Sequence, residues 1–133
     1  MRVVIDTNVL MSGLFWPSGP PRKILELWAK GKFAVVVTPE IVTEYREVTN
    51  RLAAQKSEIK VSKHLDRLLM LVEFVLDSPL KEQVCTDPDD DIFISAAVSG
   101  RASYIVTGDK ALLAVDKFRK IQIIKPTPFL NLL

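Results

Sequence analysis

Short runs of apolar and β-branched residues alternate along the chain with stretches whose apolar positions recur every three or four residues. Residues 2–5 (RVVI) are such a run, and it stops abruptly at Asp6. Its continuity predicts a strand buried on both faces, with the polar cluster Asp6-Thr7-Asn8 at its C-terminal end. Residues 16–21 (WPSGPP) read as a loop. Residues 22–30 predict a helix carrying Ile24, Leu27 and Trp28 on one side, stopped by Gly31. A second strand is expected over 33–37. Thr38-Pro39-Glu40 then has the form of a helix start: a hydroxyl at the N-cap, proline at the first helical position and an acid in the first turn. Ile41, Tyr45, Val48 and Leu52 continue that helix. Residues 53–61 are polar and fit either its continuation or a connector.

Ser62 is placed to cap a further helix with Leu65, Leu68, Leu69, Val72 and Val75 as its apolar side, ending before Ser78-Pro79. Val84-Cys85 is a candidate short strand leading into an acidic loop. Asp90 or Asp91 opens a helix over 92–99, closed by Gly100. Tyr104-Ile105-Val106 is the clearest late strand and ends at Thr107-Gly108-Asp109. A short helix at 110–114, a strand at 121–124 and a tail at 126–133 complete the chain. Strands alternating with helices predict an α/β fold, a three-layer α/β/α arrangement around a central, mainly parallel sheet of four to five strands. The length of 133 residues fits one domain spanning 1–133. Right-handed crossovers would set the C-terminal ends of the parallel strands on one rim, where ligands of open α/β sheets bind.

Composition removes several alternatives. One cysteine, Cys85, and one histidine, His64, exclude a zinc finger and any chemistry that needs a histidine pair. No apolar run is long enough to span a bilayer, and an acid at position 6 interrupts any secretory leader, so a cytoplasmic protein without a membrane partner is expected. Net charge is only +2, but its distribution is uneven. Arg46, Arg51, Lys56, Lys60, Lys63 and Arg67 lie in one stretch against Glu47, Glu58 and Asp66, whereas Asp87, Asp89, Asp90 and Asp91 fall within five residues. Cations beside an acidic pocket suit a polyanion handled through a metal.

The predicted topology gathers acids that are distant in sequence. Asp6 ends the first strand, Glu44 lies early in the helix after the second, Asp90 and Asp91 open the helix before the late strand, and Asp109 follows that strand. Carboxylates sharing a pocket repel one another, and a divalent cation with a preference for oxygen, Mg²⁺ or Mn²⁺, is the simplest compensator. Such ions promote phosphodiester hydrolysis without a histidine. Thr7, Asn8 and Thr107 could orient the carboxylates from a supporting layer. Arg46, Arg51, Lys63 and Arg67 are candidate phosphate contacts, and Phe15 or Trp16, in the loop after the first strand, candidate stacking platforms or dimer contacts. Each acid also has an ordinary alternative: Asp6 and Asp109 as helix caps, Glu44 as a surface acid, and Asp87-Pro88-Asp89 as turn chemistry. Two other functions fit parts of the pattern. A haloacid-dehalogenase-like phosphohydrolase also begins with a strand-end Asp but wants a second Asp at position 8, which is Asn here. A non-catalytic RNA-binding module would need no acids at all.

Together, VVIDTNVL at 3–10, Glu44 within TPEIVTEYREV, DPDDDIFISAA at 87–97 and YIVTGDKALL at 104–113 resemble the PIN-domain nuclease family, most closely the VapC-like toxins of prokaryotic toxin–antitoxin pairs. The resemblance implies a metal-dependent endoribonuclease acting on single-stranded RNA, a homodimer, and a small antitoxin partner. Asp6 matches the family's first acid, Glu44 its second, and Asp109 its fourth, in a T-x-D context with Thr107. The third is Asp90 or Asp91, with DPxD favouring Asp90.

Overall fold

A computed structural model describes residues 1–56, 59–78 and 80–133, with the side chains of Lys56 and Ile59 left out. In chain order the elements are β1 (Arg2–Ile5), α1 (Thr7–Phe15), α2 (Pro20–Ala29), β2 (Ala34–Val37), α3 (Pro39–Lys56), α4 (Ile59–Leu69) and β3 (Glu73–Phe74). After a 3₁₀ turn (Pro88–Asp90) come α5 (Asp91–Ser99), β4 (Tyr104–Val106), α6 (Lys110–Val115), β5 (Lys117–Phe118), β6 (Ile121–Ile124) and α7 (Pro126–Leu130). Six strands form one sheet in the order β3-β2-β1-β4-β6-β5. All neighbours are parallel except the β5–β6 hairpin.

The burial of the central strands explains their composition. Val3, Val4, Ile5, Val35, Val36 and Val37 are all buried, so both faces of β1 and β2 are covered and no polar alternation survives. The helices α1, α2, α3 and α4 pack among themselves, while α5 packs over β1, β2 and β4. Gly100 permits that last contact, because a Cβ there would come within 2.2 Å of Val36 Cγ1. Sequence marked this glycine only as a helix stop. Gly13 has the same role where α1 crosses α2, since an added Cβ would lie 2.6 Å from Leu25 Cδ1.

The expected α/β/α architecture and mainly parallel sheet are present, but the sheet has six strands and not four to five, because the two-residue edge strands β3 and β5 are too short to leave a sequence pattern. The helix expected from Ser62 starts earlier, at Ile59, and stops at Leu69, and the chain beyond it forms edge strand β3. Val72 and Val75 follow the helical spacing, yet Val75 N–H donates to Val37 O at 2.9 Å, in register with β3. Val84-Cys85 forms no strand, because its amides are taken by a side chain described below. The tail contains helix α7, whose buried Phe129 meets Phe33 edge-on at 5.2 Å between ring centroids. Phe15 belongs to α1 and not to a loop. Of the ambiguous stretch 53–61, residues 57–58 lie outside the described residues, as does Pro79. Among the described residues no helix is long and apolar enough to cross a membrane.

Sheet order also says where a site should be. From β1 the chain builds outward to β2 and β3, then returns to place β4 on the other side of β1. The junction of β1 and β4 is therefore a topological switch point, where the connections diverge and open a crevice at the strand ends.

Candidate active site

Asp6 and Thr107 are the first residues beyond β1 and β4 at that crevice. Asp6 N–H donates to Val106 O at 3.0 Å, which fixes its backbone to the neighbouring strand. Its carboxylate accepts from the Thr107 hydroxyl at 2.6 Å, and the same hydroxyl accepts from Asp109 N–H at 2.9 Å. Thr107 is completely buried, so it joins the two acids through one group. Asp6 is itself 4% exposed. Burial raises its pKa above the ordinary carboxylate value; the Thr107 hydrogen bond offsets part of this, and the Asp109 charge adds to it. Asp6 occupies the N-cap position of α1 but makes no side-chain capping bond, so its carboxylate is not consumed by local structure.

Asp109 also acts through its side chain. Its Oδ2 caps α6 by accepting from Leu112 N–H at 3.1 Å, as its position before Lys110 suggested. It also meets Asp90, which closes the 3₁₀ turn. Asp90 is pushed up to about 7, first by burial, then by its hydrogen bond to Asp109, and then by the charges of Asp109, Asp87 and Asp6. Ionising Asp90 beside the Asp109 carboxylate is costly, so Asp90 keeps its proton to higher pH.

The neighbouring Asp91 faces elsewhere. Its Oδ2 accepts from Val84 N–H at 2.9 Å and its Oδ1 from Cys85 N–H at 2.7 Å. Both oxygens clamp the incoming loop to the start of α5. Cys85 is buried, and burial together with Asp91 pushes its thiol up to about 12, so it is no nucleophile near neutral pH. Asp87 accepts from Asp89 N–H at 3.0 Å, the turn chemistry expected of it. The structure therefore brings Asp90, and not Asp91, to Asp6 and Asp109.

Glu44 arrives from α3. Thr38 begins that helix as expected, its hydroxyl accepting from Ile41 N–H at 3.3 Å. One turn further, Glu44 Oε2 accepts from the Thr7 hydroxyl. The adjacent Tyr45 is fully buried and its hydroxyl donates to Ile5 O. Thus α3 is braced to the end of β1 on either side of Asp6. In the helical spacing Tyr45 counts as an apolar core position, but a buried tyrosine hydroxyl needs a partner, and here Ile5 O supplies it. Asn8 is exposed and lines a cavity of about 470 Å³ with Gly108, Asp109 and Lys110.

The candidate phosphate contacts are scattered. Arg46 is tied to Asp66 at 2.7 Å, while Arg51, Lys63 and Arg67 are exposed. Arg51 lies seven residues after Glu44, two turns along the same side of α3.

No three His, Cys, Asp or Glu side chains among the described residues surround one point as a closed ion cage. The acids instead converge pairwise. That suits a hard cation bound through one or two carboxylates and several waters. The donor set is carboxylate and hydroxyl only, and the raised pKa values of Asp6 and Asp90 are those a cation would relieve. The residues fit a divalent, oxygen-seeking ion.

Comparison with known proteins bears on the fold and the family. The uncharacterized protein MJ1680 of Methanocaldococcus jannaschii is 34% identical, over 96% of this chain and 87% of its own length. The crystal structure of VapBC2 from Rickettsia felis, bound to a DNA fragment from their promoter, superposes with a TM-score of 0.63 at 15% identity, covering 94% of this chain and 98% of that one. PAE2754 from Pyrobaculum aerophilum superposes with a TM-score of 0.66 at 19% identity, covering 98% and 88%. At these identities the two structures speak to the fold. The sequence model of the PIN domain matches residues 2–111, and the chain belongs to the PIN-domain family.

Proposed function

We propose that this PIN-domain nuclease is a Mg²⁺- or Mn²⁺-dependent endoribonuclease that hydrolyses single-stranded RNA in the cytoplasm. The observation that supports the reading is the pairwise approach of Asp6 to Asp109 through Thr107, and of Asp90 to Asp109, at the β1–β4 switch point, where Asp90 is pushed up to about 7. Asp6, Asp90 and Asp109 are the residues that would hold the ion. Such an ion supplies charge compensation, a polarised phosphoryl oxygen and a more acidic water. Thr107 fixes the Asp6 carboxylate through its hydrogen bond. Glu44, which accepts from Thr7 at Oε2, would orient a water and accept its proton at Oε1. Asn8, which lines the same cavity as Asp109, would donate to a phosphate oxygen. Arg51, Lys63 and Arg67 contact phosphates away from the scissile bond. Asp91 keeps the loop in place and holds no ion.

The fold shared with VapBC2 supports a role as the toxin of a toxin–antitoxin pair, bound by a small antitoxin protein. The exposed Met70, Leu71, Phe74 and Leu76 around edge strand β3 support a homodimer. The test is cleavage of a labelled single-stranded RNA beside single-stranded DNA and a phosphomonoester, with Mg²⁺, with Mn²⁺ and with EDTA. RNA alone is cut, and only with a divalent ion; cleavage that persists in EDTA, or hydrolysis confined to the phosphomonoester, overturns the reading.

A further inference from the structure

A second charged surface lies at the far end of α5 from the acids. A groove of about 540 Å³ is lined by Arg101, Arg119 and Lys120 over an apolar floor that includes Ala97 and Val98. It shares Val98 and Arg119 with a second groove of about 600 Å³, lined by Lys81 and Phe118. Arg101, Arg119, Lys120 and Lys81 are exposed, and none is in an ion pair among the described residues. Glu82 is the one acid lining the pair of grooves.

Two of these cations occupy backbone positions where arginine is unusual. Arg101 follows the end of α5 with φ +53°. Its N–H donates to Val98 O at 3.2 Å and Ala102 N–H donates to Ala97 O at 2.9 Å. These are the two bonds of a Schellman ending, and Arg101 fills the left-handed site that glycine ordinarily takes. Arg119 is the first residue of the two-residue turn between β5 and β6, with φ +56°. Glycine, asparagine or aspartate is ordinary there. A cation after a helix C-terminus is favoured by the helix dipole, which accounts for Arg101 but offers nothing for Arg119. The Arg119 guanidinium instead lies 5.1 Å from the centroid of the Phe118 ring, forming a flat cationic and aromatic face.

We propose that this groove is a second RNA-contact surface, in which Arg101, Arg119, Lys120 and Lys81 take backbone phosphates and the Arg119–Phe118 face stacks an unpaired base. An acidic protein segment would satisfy the charge but has no use for the stacking face, which is the means by which unpaired bases are held without sequence preference. The identity of the polyanion rests on the ribonuclease reading; the surface itself does not. The nine residues of α5 set the patch on the order of 14 Å from the acids. At about 3.4 Å per stacked nucleotide, that distance takes about four nucleotides. The patch therefore engages RNAs that extend beyond the cut and has no effect on a trimer.

The test exploits the backbone. Arg101→Gly and Arg119→Gly remove charge while relieving left-handed strain, so the double variant melts at or above the wild type. Binding of a 20-nucleotide single-stranded RNA, measured in EDTA by anisotropy across a salt series, weakens about tenfold at low salt. The slope of log affinity against log salt falls by about 1.4, the value for two lost phosphate contacts. R119K keeps the charge and the salt slope but loses the planar guanidinium of the stacking face, so its affinity falls between those of the wild type and the double variant. Unchanged affinity and salt slope in the double variant overturn the surface, and leave the nuclease reading intact if the RNA is still cut with Mn²⁺. Arginine-dependent binding of RNA that is never cut supports the surface and overturns the nuclease reading. Arginine-dependent binding of poly-glutamate in preference to RNA overturns the RNA assignment.

Discussion

The candidate site has two halves that are held in different ways. Asp6 and Thr107 sit at strand ends, and Asp109 lies two residues beyond Thr107. Sheet ladders position their backbones: Asp6 N–H bonds to Val106 O and Thr107 N–H to Ile124 O. Asp90 comes from the other half, the loop that precedes α5. There the chain is held by side chains: Asp91 takes the Val84 and Cys85 amides, and Ser95 donates to Asp77 and to Ser78 O. A strand end needs no help to place a carboxylate, whereas a loop needs polar clamps of its own. The adjacent acids Asp90 and Asp91 divide that labour, one turned to the crevice and one to the loop.

The sharpest way to break this comparison is to remove a charge from each half. Asp109→Asn and Asp90→Asn each lower metal-dependent RNA cleavage by about a hundred- to a thousandfold, with the fold retained. Asp91→Ala acts differently. It leaves two amides without acceptors, so thermal stability falls by about 1–3 kcal/mol. Cleavage falls about ten- to a hundredfold through misplacement of Asp90, and Asp91→Asn, which keeps one acceptor, recovers part of both. If Asp91→Ala matched Asp90→Asn in activity without losing stability, Asp91 would be a ligand and the division of labour wrong.

Thr107→Val separates orientation from charge. It removes the hydrogen bond that holds Asp6 while preserving shape, and cleavage drops about tenfold with a smaller change in substrate affinity. A loss as large as that of Asp109→Asn would place the hydroxyl in direct contact with the reacting groups.

The smallest effect is on pH dependence. Asp90 titrates near 7 in the folded protein against an ordinary value of 3.8. The folded state therefore holds the proton more tightly, and its contribution is complete below about pH 4 and lost as the pH rises through 7. In EDTA the wild-type melting temperature falls relative to Asp90→Asn across that window. Divalent ions, by favouring the ionised carboxylate, flatten the difference. A wild type that gained stability relative to Asp90→Asn on going from pH 4 to 7 would contradict the raised pKa of Asp90.

The strand-end half was legible in the sequence and the loop half only partly so. RVVI followed by Asp6, and YIV followed by Thr107, announce buried strands with polar ends, because continuous apolar runs have few other uses in a chain of this kind. Thr38-Pro39-Glu40 announced α3 because caps act locally. The loop resisted because its geometry depends on a side chain meeting amides six and seven residues away, which no periodicity records. Val72 and Val75 misled for a related reason: spacing by three fits a helix, but α4 ends at Leu69 and the chain from Glu73 to Val75 pairs with β2. Tyr45 was hidden because tyrosine reads as apolar until burial makes its hydroxyl matter.

Calorimetric titration with Mn²⁺ at pH 7, on the wild type and on Asp6→Asn, tests the central claim most directly. The account predicts saturable binding to the wild type and at least a hundredfold weaker binding to the variant. Equal affinity in the two proteins, or no binding to the wild type, would contradict a divalent-ion site at the β1–β4 switch point.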